Sequence, residues 1–175
     1  MKKTRLVAYS GIMTALSVVL LFLGSISVSL GYAVPIFTGL LMIFLIESVS
    51  VNSAVITYFA VSLLSLLLLN NKETALFYVL FFGYYPILRI YIQKIKLKPV
   101  RIILKLILFN VSMTAVQLIL VYILNIPFDN IFGKLGIILF ALALNFIFVL
   151  YDITYDKLLI IYDRKFRRKI ERFFK

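Results

Sequence analysis

Long apolar runs alternate with short polar connectors along the whole chain. Six of these runs are apolar and long enough to cross a bilayer, for which a helix needs roughly 20 apolar residues. They cover residues 6–23, 35–49, 54–69, 74–92, 102–124 and 131–151. The pattern therefore predicts an all-α, polytopic membrane protein with a single six-helix transmembrane domain over residues 1–175.

The positive charges predict how these spans are oriented. If the N-terminus is cytoplasmic, 17 of the 19 Lys and Arg residues fall on the inner side, and only Lys72 and Lys134 fall outside. An excess of Lys and Arg is typical of cytoplasmic connectors, so both termini are expected in the cytoplasm. The net charge of +12 then indicates anionic lipid headgroups as a partner rather than nucleic acid.

The composition excludes several classes of protein. A hydrophobic share of 63% exceeds the roughly 45–50% of soluble domains and leaves no room for one. The chain has no cysteine and no histidine, which removes disulfides, thiolate and imidazole metal ligands and the commonest general base. It also lacks a nucleophile elbow, a phosphate-binding loop and an HExxH motif. We therefore expect no cofactor, no metal site, no catalytic residues and no enzymatic activity.

Three segments depart from plain spans. Residues 24–34 alternate small or polar with apolar side chains, which predicts a lid on the outer face, with Pro35 opening span two. Gly83 and Pro86 predict a kink within span four. Span six is expected to continue as one helix into a basic tail, residues 157–175, because neither Gly nor Pro interrupts residues 137–175. Its apolar positions have the spacing of an amphipathic helix on the cytoplasmic leaflet: Leu159, Tyr162, Phe166, Ile170 and Phe173.

Polar side chains within the spans predict a small-molecule pocket in the outer half of the membrane. Asn110, Thr114 and Gln117 share one face of span five by their spacing, and Asn145 lies on span six. Aromatic walls with a few amides are usual for such pockets. The alternative is hydrogen bonding between helices, which contributes about 0.6 kcal/mol per group on average. The predicted substrate-binding set is Tyr78, Gln117, Tyr122 and Asn145, with Lys72 and Glu73 at the rim.

Charged residues gather near the predicted cytoplasmic side. Glu47, Arg89, Asp152 and Asp156 are interpreted as an ion-pair cluster that joins the inner ends of spans two, four and six. Asp152 and Asp156 lie one helical turn apart, and such a carboxylate pair is alternatively a ligand set for a divalent cation.

Span one carries small residues on one side. Gly11 and Ala15 form a small-xxx-small pair, and Ala8 lies one turn earlier. Small residues let a second helix approach closely, either a partner's helix or another helix of the same chain.

Together these features resemble the substrate-binding S component of energy-coupling-factor (ECF) transporters. The likeness consists of the basic N-terminus, a first helix with a small-xxx-Ala-Leu-Ser pattern ending at Ser17, six spans and the overall length. It implies that a vitamin or similar molecule binds near the outer face, under residues 24–34. It also implies docking of a transmembrane T component on Gly11 and Ala15 beside Ala8, with paired ATPase subunits as the energy source. The lack of histidine excludes the nickel and cobalt branch, and the resemblance implies a bacterial plasma membrane.

Two other functions fit the residues. A non-enzymatic scaffold of the cell envelope, of the cell-shape type, would use helix contacts and the basic tail without a ligand. A small membrane enzyme acting on lipid-linked substrates would depend on Asp152 and Asp156.

Overall fold

The computed structural model describes residues 3–125 and 133–166, and this part of the chain is helical between its turns. The elements, in chain order, are α1 (Lys3–Ser25), α2 (Val28–Ser48), α3 (Val51–Leu68), α4 (Lys72–Phe77), α5 (Tyr85–Ile92), α6 (Lys98–Leu118) and α7 (Gly133–Ile161). Wider π-helical turns follow α4, α6 and α7, at Tyr78–Phe82, Ile119–Ile123 and Tyr162–Phe166.

Six helical segments among the described residues are long and apolar enough to cross a membrane, which matches the six predicted runs. The fourth, span four, combines α4, its π turn and α5 over Lys72–Ile92, and it is the most buried of the six. The helices are thus compatible with a multi-pass membrane protein. One end of the bundle holds the start of α1 and the connectors at 49–50 and 93–97, and is called the basic end. The connectors at 26–27 and 69–71 lie at the opposite end.

The helices form three layers, with α2 and span four in the middle. On one side of this layer α1 and α3 pack together, and on the other side α6 and α7 do. The largest apolar core lies on the α6 and α7 side, where Phe81 contacts the rings of Phe109 and Phe148 at centroid distances of 5.0 and 5.5 Å. A second core around Tyr78 lies on the α1 and α3 side. Because both faces of span four are covered, its helix is a rigid centre for the fold.

The break predicted in span four is confirmed. Gly83 N–H donates to the carbonyl of Tyr78 at 2.8 Å, an i to i−5 bond, so the carbonyl of Val79 loses its helical partner. The hydroxyl of Tyr58 on α3 donates to that Val79 carbonyl at 2.9 Å. Kinks in helices arise at proline and at π turns, and this one combines both, since Pro86 lies directly beyond it.

The lid expected over residues 24–34 is wrong. The connector between α1 and α2 is only Ile26 and Ser27, and the remaining residues belong to the two helices. A Cβ at Gly24 would lie 2.5 Å from Cγ2 of Val34, so the small residues of this segment allow α1 and α2 to approach closely. Pro35 consequently lies inside α2 rather than at its start. Close packing of helices, rather than a free loop, explains the alternation of small and apolar residues.

The extension of span six as one helix is confirmed as far as the structure describes it. The first part of the predicted surface tail belongs to the bundle, because Tyr162 is buried and its hydroxyl lies 2.8 Å from the hydroxyl of Ser48 on α2. Residues 167–175, with Ile170 and Phe173, and the predicted outer connector at 126–130 lie outside the described residues, as does the Phe166 side chain.

Candidate ligand groove and helix-docking face

An ion-pair network joins span four, α6 and α7 toward the basic end. Arg89 donates through Nε to Asp152 at 2.8 Å and through Nη2 to Asp156 at 2.6 Å. Lys105 of α6 donates to the other oxygen of Asp152 at 2.6 Å. The predicted cluster is thereby confirmed for Arg89 and the two aspartates, and the fourth predicted member, Glu47, is exposed near the end of α2 and acts electrostatically on Tyr155.

The charged side chains of this network are paired with one another and with neighbouring tyrosines. The hydroxyl of Tyr85 also donates to Asp152 at 2.6 Å, and the guanidinium of Arg89 lies 4.3 Å from the centroid of the Tyr155 ring. Arg89 and Lys105 are almost fully buried, and buried charges persist only when they are paired. Since cations already occupy both carboxylates, the geometry is that of a structural clamp between three spans.

A groove between α6 and α7 lies in the half of the bundle opposite the basic end. Its volume is about 370 Å³, at the lower end of the roughly 300–1,000 Å³ of small-molecule sites. The four polar residues that line it are Asn110, Thr114, Gln117 and Asn145. Its apolar lining consists of Phe77, Phe109, Met113, Phe140, Ala141 and Leu144. This cavity is named the α6–α7 groove.

Two asparagines tie the two helices together at one end of this groove. Asn110 Nδ2 donates to Asn145 Oδ1 at 2.9 Å, and Asn145 Nδ2 donates back to Asn110 Oδ1 at 3.0 Å. Each amide nitrogen also donates to the carbonyl one turn earlier on its own helix, Leu106 or Ala141. Both amino groups are therefore fully used, while each side-chain oxygen keeps one lone pair.

Of the six residues predicted to bind substrate, the structure brings Gln117 and Asn145 to this groove. The others lie elsewhere. Tyr78 is fully buried in the core beside α1 and α3, and Tyr122 is 77% exposed near the end of the α6 span. Lys72 donates to the carbonyls of Leu66 and Leu69 at the end of α3. Glu73 accepts from the hydroxyl of Tyr32 at 2.8 Å, so both rim residues stabilise a turn at the opposite end.

The small residues of α1 lie on an exposed side of the helix, beside α3. Ala8, Gly11 and Ala15 are exposed, and a Cβ at Gly11 would meet no other group within 4 Å. Internal packing of Gly11, the alternative considered from the sequence, is therefore wrong for the described residues. We call these three residues the small-residue face.

A second groove runs beside this face, between α1 and α3 toward the basic end. It encloses about 460 Å³, and Ser10, Gly11 and Thr14 line it from α1, opposite Ser53 and Thr57 of α3. Thr57 is 1% exposed, and its hydroxyl has no hydrogen-bond partner in the part of the chain that the structure describes. That hydroxyl is enclosed by the chain's own atoms, so a helix that crosses here would meet the polar side chains of Ser10, Thr14 and Ser53 instead.

Reading the sequence did not identify three important residues. Lys105 is a lone cation in an apolar run, and Phe77 and Thr57 belong to ordinary apolar patterns. A signal existed for Lys105, because an intramembrane lysine needs a carboxylate at similar depth. For Thr57 the sequence signal was weaker, namely its i, i+4 spacing from Ser53 on the same face of α3.

Comparison of the chain with protein-family models, with curated proteins and with solved structures found no match. The functional assignment therefore depends on the two grooves, the small-residue face and the ion-pair network.

Proposed function

We propose that the chain is the substrate-binding membrane subunit of an ECF-type uptake transporter. In this proposal the protein takes up a vitamin or similar small molecule, and a separate T component with ATPase subunits supplies the energy. The basic end faces the cytoplasm, in accordance with the distribution of Lys and Arg. The membrane is then the plasma membrane of a bacterium.

The observation that carries the proposal is the small-residue face. Within a membrane the hydrophobic effect does not drive helices together, so interfaces depend on small residues that permit close contact. Ala8, Gly11 and Ala15 provide such a surface, and no described part of this chain covers Gly11. The neighbouring groove adds polar side chains that a partner helix would meet, namely those of Ser10, Thr14 and Ser53. We assign this face to the T component.

The α6–α7 groove is the proposed substrate site. It lies in the outer half if the basic end is cytoplasmic, and it combines aromatic walls with amides. The lipid-acting enzyme is less well supported, because Asp152 and Asp156 are engaged by Arg89 and Lys105. A scaffold protein would also use the small-residue face, so the experiment has to separate these two functions.

Co-purification from the native host tests the proposal. We expect tagged protein in mild detergent to retain a membrane subunit and two ATPases, and Gly11→Trp to lose them. A Cβ at Gly11 would meet no other group within 4 Å, and the adjacent groove of about 460 Å³ gives the larger side chain room beside the chain's own packing. The matched control is Leu16→Trp at a 43% exposed position about 140° around the helix from Gly11, away from the small-residue face, which should retain the partners.

Two results would contradict the proposal. Recovery of envelope-assembly proteins without any ATPase would favour the scaffold. Equal retention of the ATPases by the Gly11→Trp and Leu16→Trp proteins would remove the docking role of the small-residue face.

A further inference from the structure

The α6–α7 groove opens to the side of the bundle, where a membrane protein meets lipid. Its polar residues Asn110 and Thr114 are exposed, and so are Phe140 and Ala141 on the facing helix. Asn110 lies near the middle of the 26-residue span Lys98–Ile123, which corresponds to the centre of the bilayer in the proposed arrangement. A molecule dissolved in the bilayer therefore reaches this groove without passing through the bundle.

No side chain lining the groove carries a formal charge. A charged ligand at this depth would have no counter-ion, and an unpaired charge within a bilayer is costly. Lys105 and Arg89 are already bound to Asp152 and Asp156, and Lys72 donates to two carbonyls at the end of α3. The lining thus selects for an uncharged ligand.

Hydrogen-bonding capacity remains at two places in the groove. Gln117 has no hydrogen-bond partner among the residues that the structure describes, so its amide offers two donors and an acceptor. The oxygens of Asn110 and Asn145 each keep a lone pair. Asn110 and Gln117 lie seven residues apart on one face, about 10 Å along the helix. An unpaired amide in an apolar setting costs free energy that a bound polar group restores.

The apolar wall of the groove continues inward. Phe77, Phe109, Met113 and Leu144 also line a smaller cavity of about 40 Å³ that reaches Tyr32 and Ile36 of α2, and its lining is apolar. Such a cavity stays free of water because it gives a water molecule no polar partners. The shared lining residues place this cavity directly behind the apolar wall of the groove.

We infer that the α6–α7 groove binds an uncharged, elongated amphiphile that enters from the bilayer. Its apolar body packs on Phe77, Phe109 and Met113. One polar group bonds the Gln117 amide, and a hydroxyl or N–H donor bonds the free lone pairs of Asn110 and Asn145. This inference rests on the proposed function in treating the ligand as the transported substrate.

The experiment uses the full chain alone in lipid nanodiscs and a photoreactive probe. The probe is para-hydroxymethylbenzophenone, an uncharged aromatic with one hydroxyl group. Its matched control is para-benzoylbenzoate, which has nearly the same shape and a negative charge. After irradiation, mass spectrometry locates the labelled peptides. We expect saturable labelling of α6 and α7 around Met113 and Phe140 by the neutral probe and none by the anion.

Two variants of α7 make the test specific. Ala141→Trp fills the groove and should reduce labelling roughly tenfold or more, since the ligand's space is lost. Ala143→Trp adds the same bulk at an exposed position that does not line the groove, roughly 200° around the helix, and should label as the parent does. Gln117→Leu should raise the half-saturating probe concentration about fivefold, for the loss of one hydrogen bond.

Equal labelling of the two tryptophan variants would overturn the inference, as would labelling that does not saturate or that the anion produces equally well. If Ala141→Trp does not fold, as judged by circular dichroism, Gln117→Leu decides, and an unchanged half-saturating concentration overturns the inference. Because no partner is present in the nanodisc, this failure is distinct from a loss of the ATPases in the co-purification, which would overturn the proposed function instead.

Discussion

At the level of single residues, Asp152 receives hydrogen bonds from three side chains on two other spans. Tyr85 and Arg89 come from span four, and Lys105 comes from α6. The sequence allowed the pairing of Arg89 with the aspartates to be predicted, because their depths match in an alternating topology. It indicated that Lys105 needs a carboxylate at similar depth but not which one, since this depends on the rotation of α6 about its own axis, which the packing of Phe109 and its neighbours sets.

The two aspartates should differ strongly in their effect on stability. Asp152→Asn leaves the buried Lys105 without a counter-charge, so we expect a loss of about 3–5 kcal/mol in the free energy of unfolding. Asp156 is the matched control, because its side chain is 55% exposed. For Asp156→Asn the expected loss is about 1 kcal/mol or less. Titration with sodium dodecyl sulfate in mixed micelles measures the free energy of unfolding of both variants.

A second substitution tests whether the unpaired charge of Lys105 causes the loss of stability. Adding Lys105→Met to the Asp152→Asn protein removes the unpaired cation and should restore part of the stability. Equal losses for the two single variants, or no restoration in the double variant, would contradict the clamp described for this network.

At the level of helices, the hydropathy pattern predicted the existence and order of all six spans and the break in span four. Each depends on local signals, namely apolar length, Gly83 and Pro86. The predicted lid is wrong because the polarity of residues 24–34 does not distinguish a surface loop from a close contact between helices. Small residues mark loops in water, but within a bilayer they mark close helix contact, and Gly24 against Val34 is such a contact.

Substitutions at two glycines test which helices are in close contact. A Cβ at Gly39 would lie 2.7 Å from the carbonyl oxygen of Phe82 and 2.9 Å from the hydroxyl of Tyr151, so α2 would have to move away from span four. We expect Gly39→Ala to lower the free energy of unfolding by about 1–3 kcal/mol. Gly11→Ala is the control, with open space at its Cβ, and should be neutral or slightly stabilising. Thermal unfolding followed by circular dichroism measures the stability of both variants. Equal melting temperatures would contradict the close contact of α2 with span four.

At the level of the whole molecule, the two grooves lie on different sides of the middle layer. The α6–α7 groove lies in the half opposite the basic end, and the groove beside the small-residue face lies toward the basic end. The sequence indicated the amide set from its i, i+4, i+7 spacing. It did not indicate that Tyr78 turns to the other side of span four while the adjacent Phe77 lines the groove, because this depends on the rotation of that helix against its neighbours.

The orientation of the bundle can be tested directly, because the chain contains no cysteine of its own. Asn70 lies in an exposed turn at the opposite end, and Lys96 is exposed in the connector at the basic end. We expect a membrane-impermeant maleimide to label Asn70→Cys in intact cells and to label Lys96→Cys only after permeabilisation. The reverse pattern would invert the proposed topology and place the α6–α7 groove in the inner half.

The ion-pair network has a consequence for how the protein responds to voltage. The formal charges of Arg89, Lys105, Asp152 and Asp156 cancel, so the membrane potential does no net work on these four side chains when they move together. An unbalanced elementary charge that crossed the field would instead contribute about 2.3 kcal/mol per 100 mV. The clamp can therefore be translated along the membrane normal at no electrical cost, in energised and de-energised cells alike, and only a change in the direction of its dipole would be sensitive to the potential.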